Sequence, residues 1–149
     1  MNKLYSLILK RGLILAGAVT LCAATSAFAQ NKAIDFKQGA PFSEAVVSGN
    51  TLYVAGQQGP DATGKVTGDI TAQTRNAIAA IKKVVEKAGF KMSDIVSATV
   101  YITDLNDVPA MNKVYIKDMP DPKPARATVK VAGLIGDAKI EISVIAVKH

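Results

Sequence analysis

The sequence predicts an α+β domain, a two-layer sandwich in which a mixed β-sheet carries two helices on one face. Two runs have apolar residues at the three- and four-residue spacing of a helix, and the other regular runs have the length and alternation of strands. Their order is strand, strand, helix, strand, helix, strand, strand (ββαβαββ). Two helices cover only one face of such a sheet.

The first 29 residues have the parts of a secretory signal peptide. Lys3, Lys10 and Arg11 occur without an acid, a small and apolar run follows over 13–24, and Ala27-Phe28-Ala29 gives a small-x-small cleavage pattern. The apolar run is shorter than a comfortable membrane span, and an uncleaved anchor is the alternative. We expect secretion, to the periplasm in a cell with two membranes, and no membrane attachment after cleavage.

Residues 30–149 are predicted to form a single domain, because 120 of the 149 residues remain and suffice for a core. Cys22 is the only cysteine and leaves with the signal peptide, which excludes a disulfide framework and a thiolate site. The net charge falls from +6 to +3, since the basic residues drop from 18 to 15 against 12 acids. Basic residues are not clustered and aromatic residues are few, so we expect no nucleic-acid partner.

The mature chain is predicted to begin with a β-hairpin. Short apolar runs over 43–47 and 52–55 are joined by Ser48-Gly49-Asn50, the residue types of a tight turn. The polar segment before them, 30–39, is expected to contribute only pairing at the sheet edge. A glycine-rich loop over 56–64 follows, and it lacks the spacing of the phosphate-binding patterns.

Both helices have recognisable ends. Asp69 is a capping residue for the first helix, and Gly89 ends it. After a strand over 95–103, a turn at 104–107 leads into the second helix, whose first turn tolerates Pro109.

The last two strands are predicted over 126–132 and 139–148, with a turn at 133–137. If they pair as a hairpin, Arg126 and Glu141 share the sheet face away from the main core and lie close enough to act on one small molecule. A shift of one residue in register would separate them. The alternative is a solvated surface pair, which contributes about 0 to 1 kcal/mol.

The mature chain lacks cysteine and has one histidine, which restricts the chemistry that it can carry out. His149 is the only histidine, so the sequence predicts neither a Ser-His-Asp triad nor a His-based metal site, and we expect no metal and no cofactor. The planar fork of Arg126 suits a small carboxylate, and Glu141 can orient or activate a water molecule. The face carrying Glu141 also presents Tyr101, Ile145 and Val147, and an oligomer is the simplest way to cover it.

Two C-terminal segments stand out, Pro124-Ala125-Arg126 with Val129 and Lys139-Ile-Glu141-Ile-x-x-Ile-Ala-Val147. Other short motifs precede them in order: Gly56-Gln57, Thr63-Gly64-x-Val66, Gln73-x-Arg75, Asp94-Ile95-Val96, Asp104-Leu105-Asn106-Asp107 and Asn112-x-x-Tyr115. Together these segments resemble the Rid family, the RidA/YjgF type of reactive-intermediate imine deaminases, across nearly the whole mature chain.

The resemblance implies a chorismate mutase-like fold and a homotrimer with three clefts at its subunit interfaces. It also implies hydrolysis of 2-imino acids and 2-aminoacrylate-type enamines to 2-keto acids and ammonia, with a small carboxylate-bearing imine or keto acid as the bound partner. Arg126 matches the arginine that holds the substrate carboxylate, and Glu141 matches the glutamate that positions or activates water. Asn112 matches a pocket asparagine, and Gly56 lies in the loop whose backbone lines the cleft.

Several positions depart from the family pattern. Phe42 stands where the deaminases usually have Tyr, Ala55 where they usually have Ser, and Thr128 where they often have Cys, and we include all three among the substrate-binding residues. Phe42 and Ala55 each remove a hydroxyl, at a cost of about 1.5 to 3 kcal/mol if it bonded a charged group. Ser143 stands where a second glutamate is frequent. The alternative function is therefore a non-catalytic binder of small carboxylates or of a protein partner.

Overall fold

A computed structural model describes residues 30–149 of the chain, so the predicted signal peptide over 1–29 lies outside the described residues. Two helices, α1 (Ile70–Lys87) and α2 (Val108–Asp118), pack on a six-stranded mixed sheet. The strands are β1 (Lys32–Ile34), β2 (Ala45–Ser48), β3 (Thr51–Gln57), β4 (Ile95–Ile102), β5 (Ala125–Lys130) and β6 (Ile140–Val147). The predicted α+β class and the order of the elements are confirmed, with β1 added as the edge strand suggested by the polar segment.

The predicted ends of the first helix are confirmed. The Asp69 carboxylate accepts a hydrogen bond from the backbone N–H of Ala72 at 2.8 Å, which caps α1. At the other end Gly89 adopts φ +80°, a left-handed conformation that favours glycine and stops the helix. Pro109 lies in the first turn of α2, where its missing N–H costs no helical hydrogen bond.

The core lies between the helices and one face of the sheet. The inner side of α1 contributes Ala77, Ile81 and Val85, and β6 contributes Ile140 and Ile142, all completely buried. Full burial of one such aliphatic side chain contributes about 1.5 to 3 kcal/mol. The alternation predicted for β6 is therefore confirmed, since its even-numbered residues pack into the core.

The strand order is β1-β2-β3-β6-β4-β5, and it corrects one sequence-based expectation. The first hairpin is confirmed, because β2 and β3 are antiparallel neighbours. The predicted hairpin between the last two strands is wrong: β6 lies between β3 and β4, and β5 pairs in parallel with β4. The difference follows from burial, since β6 supplies a continuous apolar face to the core, whereas β5 is polar and mostly exposed, as suits an edge strand.

This strand order places Arg126 and Glu141 on opposite faces of the sheet. Residues that pair across adjacent strands share a face. Arg126 pairs with Ala98, which faces the helices and the core, whereas Glu141 pairs with Tyr101, which faces away from them. The expectation that Arg126 and Glu141 share a face is therefore wrong within one chain.

The face of the sheet opposite the helices is open in the single chain, as predicted. It exposes Tyr53 by 50%, Val129 by 45% and Ile145 by 36% of their surfaces. Tyr101 and Val147 on the same face are only partly buried. Across residues 30–149, no helix has the length and apolar character needed to cross a membrane.

Candidate active site

A cleft at the end of β3, which we call the glutamate cleft, contains most of the predicted site residues. It has a volume of about 550 Å³. Its walls come from the segment before β2, the end of β3, the turn before β6, and β6 itself: Phe42, Glu44, Ala55, Gly56, Gln57, Gln58, Ile135 and Glu141. The structure thus brings together four residues predicted from the sequence, namely Phe42, Ala55, Gly56 and Glu141.

The carboxylate of Glu141 is held on two sides. The side-chain amide of Gln58 donates a hydrogen bond to Glu141 Oε2 at 2.9 Å. The other oxygen packs on Gly56, where an added Cβ would lie only 2.2 Å from Glu141 Oε1. The register between β3 and β6 shifts between Val54 and Gln57, and this irregularity brings the Gly56 backbone beneath the carboxylate. Glycine is required here by close approach, and β3 continues through it instead of ending at Ala55.

A second carboxylate, that of Glu44, lines the same cleft. The side-chain amide of Gln57 donates to Glu44 Oε2 at 3.1 Å and lies 3.3 Å from the carbonyl oxygen of Ala55. Gln57 is only 8% exposed, so its amide is fixed by the surrounding strand. Glu44 is consequently a held carboxylate, like Glu141.

Arg126 lines a separate cleft of about 390 Å³, which we call the arginine cleft. It lies between α2 and β5, and its walls are Asn112, Tyr115, Ile116, Lys123, Pro124 and Arg126. Asn112 and Arg126, both predicted as substrate-binding residues, therefore lie together. Thr128 follows Arg126 by two residues on the same face of β5 and is not part of the cleft wall.

The guanidinium of Arg126 is positioned by apolar and aromatic groups. It lies 4.6 Å from the centroid of the Tyr115 ring, and its Nη1 lies 3.9 Å from Met111 Sδ. Over residues 30–149 no carboxylate oxygen lies within 4 Å of it. The neighbouring ammonium of Lys123 instead donates to the carbonyl oxygens of Ile116 and Met119 at the end of α2. Arg126 is thus the cation of this cleft that is available to a carboxylate.

Two buried hydroxyl groups lie close to Arg126. Tyr115 Oη and Thr128 Oγ1 have no hydrogen-bond partner in the described part of the chain. Burial raises the pKa of Tyr115, and the positive charge of Arg126 opposes that rise. Tyr115 is 3% exposed, so its ring packs in the core, and it also supports the guanidinium of Arg126.

The two clefts are too far apart to form one site within a chain. Arg126 and Glu141 pair with positions 98 and 101 of the intervening β4. The two residues are offset by three residues along the strand direction, which is about 10 Å, and by two strand spacings across the sheet, which is also about 10 Å. Their side chains project from opposite faces. A ligand bound by both residues therefore needs a second copy of the chain.

Sequence reasoning missed Glu44 and Gln58. Gln58 follows the irregular end of β3, whose register cannot be read from residue types, and Glu44 reaches the cleft through the pairing of β2 with β3. The available signal was the pair of glutamines directly after Gly56, at the point where a strand enters a glycine-rich loop.

Cleft volume alone does not locate the chemistry. A groove of about 610 Å³ lies on the helix layer, where Arg75, Phe90 and Met119 contribute to its walls, and it contains none of the predicted site residues. No group of three or more His, Cys, Asp or Glu side chains within 30–149 is arranged to hold a metal ion.

Comparisons with known proteins place this fold and its clefts in a family. The family model described as Endoribonuclease L-PSP matches residues 31–148. A protein of Escherichia coli named 2-iminobutanoate/2-iminopropanoate deaminase is 40% identical over 113 residues, covering 73% of this chain and 88% of that protein. A RutC family protein of Pyrococcus horikoshii is 44% identical over 111 residues, covering 73% of this chain and 88% of that protein.

Solved structures agree with the sequence relatives. RidA from an Antarctic Psychrobacter is 36% identical with a TM-score of 0.71, covering 78% of this chain and 94% of that one. Escherichia coli TdcF, solved with bound serine, is 34% identical with a TM-score of 0.70 and the same coverage of 78% and 94%. The match extends over almost all the described residues and includes both clefts, and the chain therefore belongs to the Rid family.

Proposed function

We propose that this protein is an imine deaminase, which hydrolyses 2-imino acids and their enamine tautomers to 2-keto acids and ammonia. The observation that carries the proposal is the fixed carboxylate of Glu141, held by Gln58 and Gly56 at the wall of an open cleft. Relatives named as deaminases of 2-iminobutanoate and 2-iminopropanoate support the reaction class.

The proposed reaction uses Glu141 as the group that moves protons. Water adds through its oxygen to the imine carbon, the C=N π pair moves to nitrogen, and Glu141 takes the proton from the water. The proton then goes to the nitrogen. Glu141 then moves the hydroxyl proton of the carbinolamine to its amino nitrogen, the C–N bond breaks as the carbonyl forms, and ammonia leaves, so one water is consumed for each ammonia released.

Arg126 is proposed to bind the substrate carboxylate. Its guanidinium is held over Tyr115, and its donors are free of carboxylate partners among residues 30–149. A bidentate pair with a carboxylate fixes both the position and the orientation of a small 2-imino acid. Asn112, in the same cleft, supplies an amide donor and acceptor.

We further propose a homotrimer in which the arginine cleft of one subunit meets the glutamate cleft of the next. The opposite faces occupied by Arg126 and Glu141 support this, as do the exposed Tyr53, Val129 and Ile145 on the open sheet face. Closed symmetry would repeat the same junction three times and give three equivalent sites.

The alternative function, a non-catalytic binder, is favoured by the apolar side chains beside Glu141. Phe42 and Ala55 line the glutamate cleft without offering a hydroxyl to a ligand or to water. Such a binder would hold small carboxylates through Arg126 without accelerating hydrolysis. The distinction is kinetic, so one assay separates the two functions.

The decisive assay measures keto-acid or ammonia release from imines formed in situ by an amino-acid oxidase. We expect the protein of residues 30–149 to accelerate the release, and Arg126→Ala to abolish the acceleration while the protein stays folded. Arg75→Ala is the matched control, because Arg75 lies on α1 near Asp118 and outside both clefts. Full activity in a folded Arg126→Ala variant would refute the role of Arg126, and keto-acid binding without acceleration would establish the alternative.

Export to the periplasm is also a proposal, supported by the pattern over residues 1–29. N-terminal sequencing of the protein recovered from the cell envelope or medium tests it. We expect the mature chain to start at Gln30, and full-length protein recovered only from the cytoplasm would contradict export.

A further inference from the structure

The glutamate cleft contains more negative charge than the proposed reaction needs. From Glu44, which that reaction leaves unused, we infer that the site selects 2-imino acids whose side chain ends in a cation, such as a guanidinium or an ammonium. The inference rests on the proposed function, because it assigns the substrate class of the same site.

Glu44 is placed beside the reaction centre by the pairing of β2 with β3. The backbone N–H of Ala55 donates to the carbonyl oxygen of Glu44 at 2.9 Å, which sets Glu44 opposite Ala55. Glu141 lies on the other side of β3, in contact with Gly56. The two glutamates therefore flank one strand, and two strand spacings separate their backbones by about 10 Å.

The Glu44 carboxylate is fixed and partly buried, not a freely moving surface group. Gln57 holds its Oε2 from the buried side, through an amide that also reaches the Ala55 carbonyl oxygen. A held carboxylate loses little side-chain entropy when a ligand binds, which strengthens its attraction for a cation.

Neither carboxylate of the cleft is neutralised within the described chain. Of the ion pairs formed among residues 30–149, none includes Glu44 or Glu141. Lys83 and Lys87 line the neighbouring cleft together with Glu44, but they lie beyond 4 Å from its oxygens, and Lys87 pairs with Asp35. A cation is the complementary group for this wall of the cleft.

The proposed roles of Arg126 and Glu141 identify which part of the substrate Glu44 contacts. In the proposed site Arg126 of a neighbouring subunit binds the substrate carboxylate, and Glu141 faces the imine carbon. Only the side chain of the imino acid remains for Glu44. Glu44 and Glu141 line the same cleft of about 550 Å³ from backbones about 10 Å apart, so one small ligand can meet both carboxylates.

Arginine and citrulline provide a matched pair of probes, because their side chains have nearly the same shape and differ in charge. The imine of each is formed in situ by an amino-acid oxidase, and kcat/KM is measured for the wild type, Glu44→Gln and Glu86→Gln. Gln at position 44 keeps an acceptor for Gln57 and removes the charge. Glu86, which pairs with Lys82 on the surface of α1, is the control for loss of one negative charge elsewhere.

We expect the wild type and Glu86→Gln to prefer the arginine-derived imine by about tenfold or more, as an ion-paired hydrogen bond allows. Glu44→Gln is expected to lose that preference, mainly through a higher KM for the cationic substrate. A wild type without preference, or a preference unchanged in Glu44→Gln, would overturn the inference.

Binding measurements separate failure of this inference from failure of the proposed function. If no imine is turned over, the deaminase proposal fails, and calorimetry with the 2-keto acids of arginine and citrulline then decides the role of Glu44. Preference for the cationic keto acid that disappears in Glu44→Gln would support the inference for a binding protein. Equal affinity for the two keto acids in the wild type would reject it.

Discussion

At the scale of single residues, the site depends on how Glu141 is oriented. Gln58 fixes one of its oxygens by a hydrogen bond, and Gly56 allows the other to approach the backbone. A carboxylate that must take a proton from water and return it needs a defined direction as well as a charge. In the proposed reaction Gln58 is therefore a positioning residue, acting through Glu141.

Replacing Gln58 by leucine should lower kcat by about 10- to 100-fold, because a hydrogen bond to a charged group contributes about 1.5 to 3 kcal/mol. KM should change little, since Gln58 is not proposed to bind the substrate. Steady-state kinetics on one imine test this, with exposed Gln38→Leu as the control. Partial recovery in Gln58→His, which restores a donor, is expected; an unchanged kcat in Gln58→Leu would show that Glu141 needs no such support.

Tyr115 should make the free energy of unfolding depend on pH in the alkaline range. Its pKa is raised by burial, with Arg126 opposing, so the folded chain holds the phenol proton more tightly than the unfolded chain. The associated stability is complete below the ordinary tyrosine pKa of about 10 and is lost as pH rises through the folded value. We expect the free energy of unfolding to fall less steeply above pH 10 in Tyr115→Phe than in the wild type, as measured by urea denaturation.

Equal slopes for the two proteins in that denaturation series would mean that the phenol ionises without penalty in the folded chain. Lysine deprotonation affects both proteins alike and therefore cancels in the comparison. The same variant also removes a buried hydroxyl that has no partner within residues 30–149.

The residue types at the site could largely be predicted from the sequence, but their partners could not. Arg126, Glu141 and Asn112 follow from short motifs, and Asn112 lies with Arg126 in the arginine cleft. Gln58 acts through a contact at the irregular end of β3, which no local pattern encodes, and Glu44 reaches the cleft through the pairing of β2 with β3.

At the scale of elements, the glycine-rich loop after β3 is held by one side chain. Asp61 Oδ1 accepts hydrogen bonds from the hydroxyl of Thr63 at 2.6 Å and from the backbone N–H groups of Thr63 and Lys65 at 2.8 and 3.1 Å. Its Oδ2 accepts from the Thr67 hydroxyl at 2.6 Å. The Thr63 hydroxyl first, and the other donors with it, hold the pKa of Asp61 well below its usual range.

Asp61→Ala should loosen this loop without unfolding the sheet. We expect faster amide hydrogen exchange over 61–67 and unchanged exchange in α1, because the helix has its own cap at Asp69. Hydrogen-exchange mass spectrometry distinguishes the two segments. Since the lowered pKa of Asp61 stabilises the fold only while the group is ionised, the loop should stay protected throughout neutral pH; protection unchanged in the variant would contradict this role.

Sequence reasoning located the elements well and mispaired one of them. The helix ends at Asp69 and Gly89 and the first hairpin depend on local chemistry, which the sequence displays. The position of β5 depends instead on which strand pairs with β6. That strand is β4, because its apolar residues continue the buried face. Adjacency in sequence favoured a hairpin of β5 and β6, whereas burial of apolar residues at the sheet centre favours the observed pairing of β6 with β4.

At the scale of the whole molecule, the position of β5 beside β4 determines whether one chain can form the whole site. A hairpin would have placed Arg126 and Glu141 in one chain, whereas the observed order separates them onto opposite faces. We therefore propose that catalysis takes place at the junction between subunits. The sequence pattern predicted the open sheet face, but it did not predict that Arg126 and Glu141 lie on opposite faces.

Subunit complementation tests that claim most directly. Arg126→Ala and Glu141→Gln chains, each inactive alone, are co-expressed with different tags, and trimers carrying both tags are isolated and assayed for imine hydrolysis. In every trimer that carries both tags, one junction of the three combines an intact Glu141 with an intact Arg126, so about a third of the wild-type activity should return. No activity in mixed trimers, when each variant alone is folded, would mean that both residues must act from the same chain and would refute a site shared between subunits.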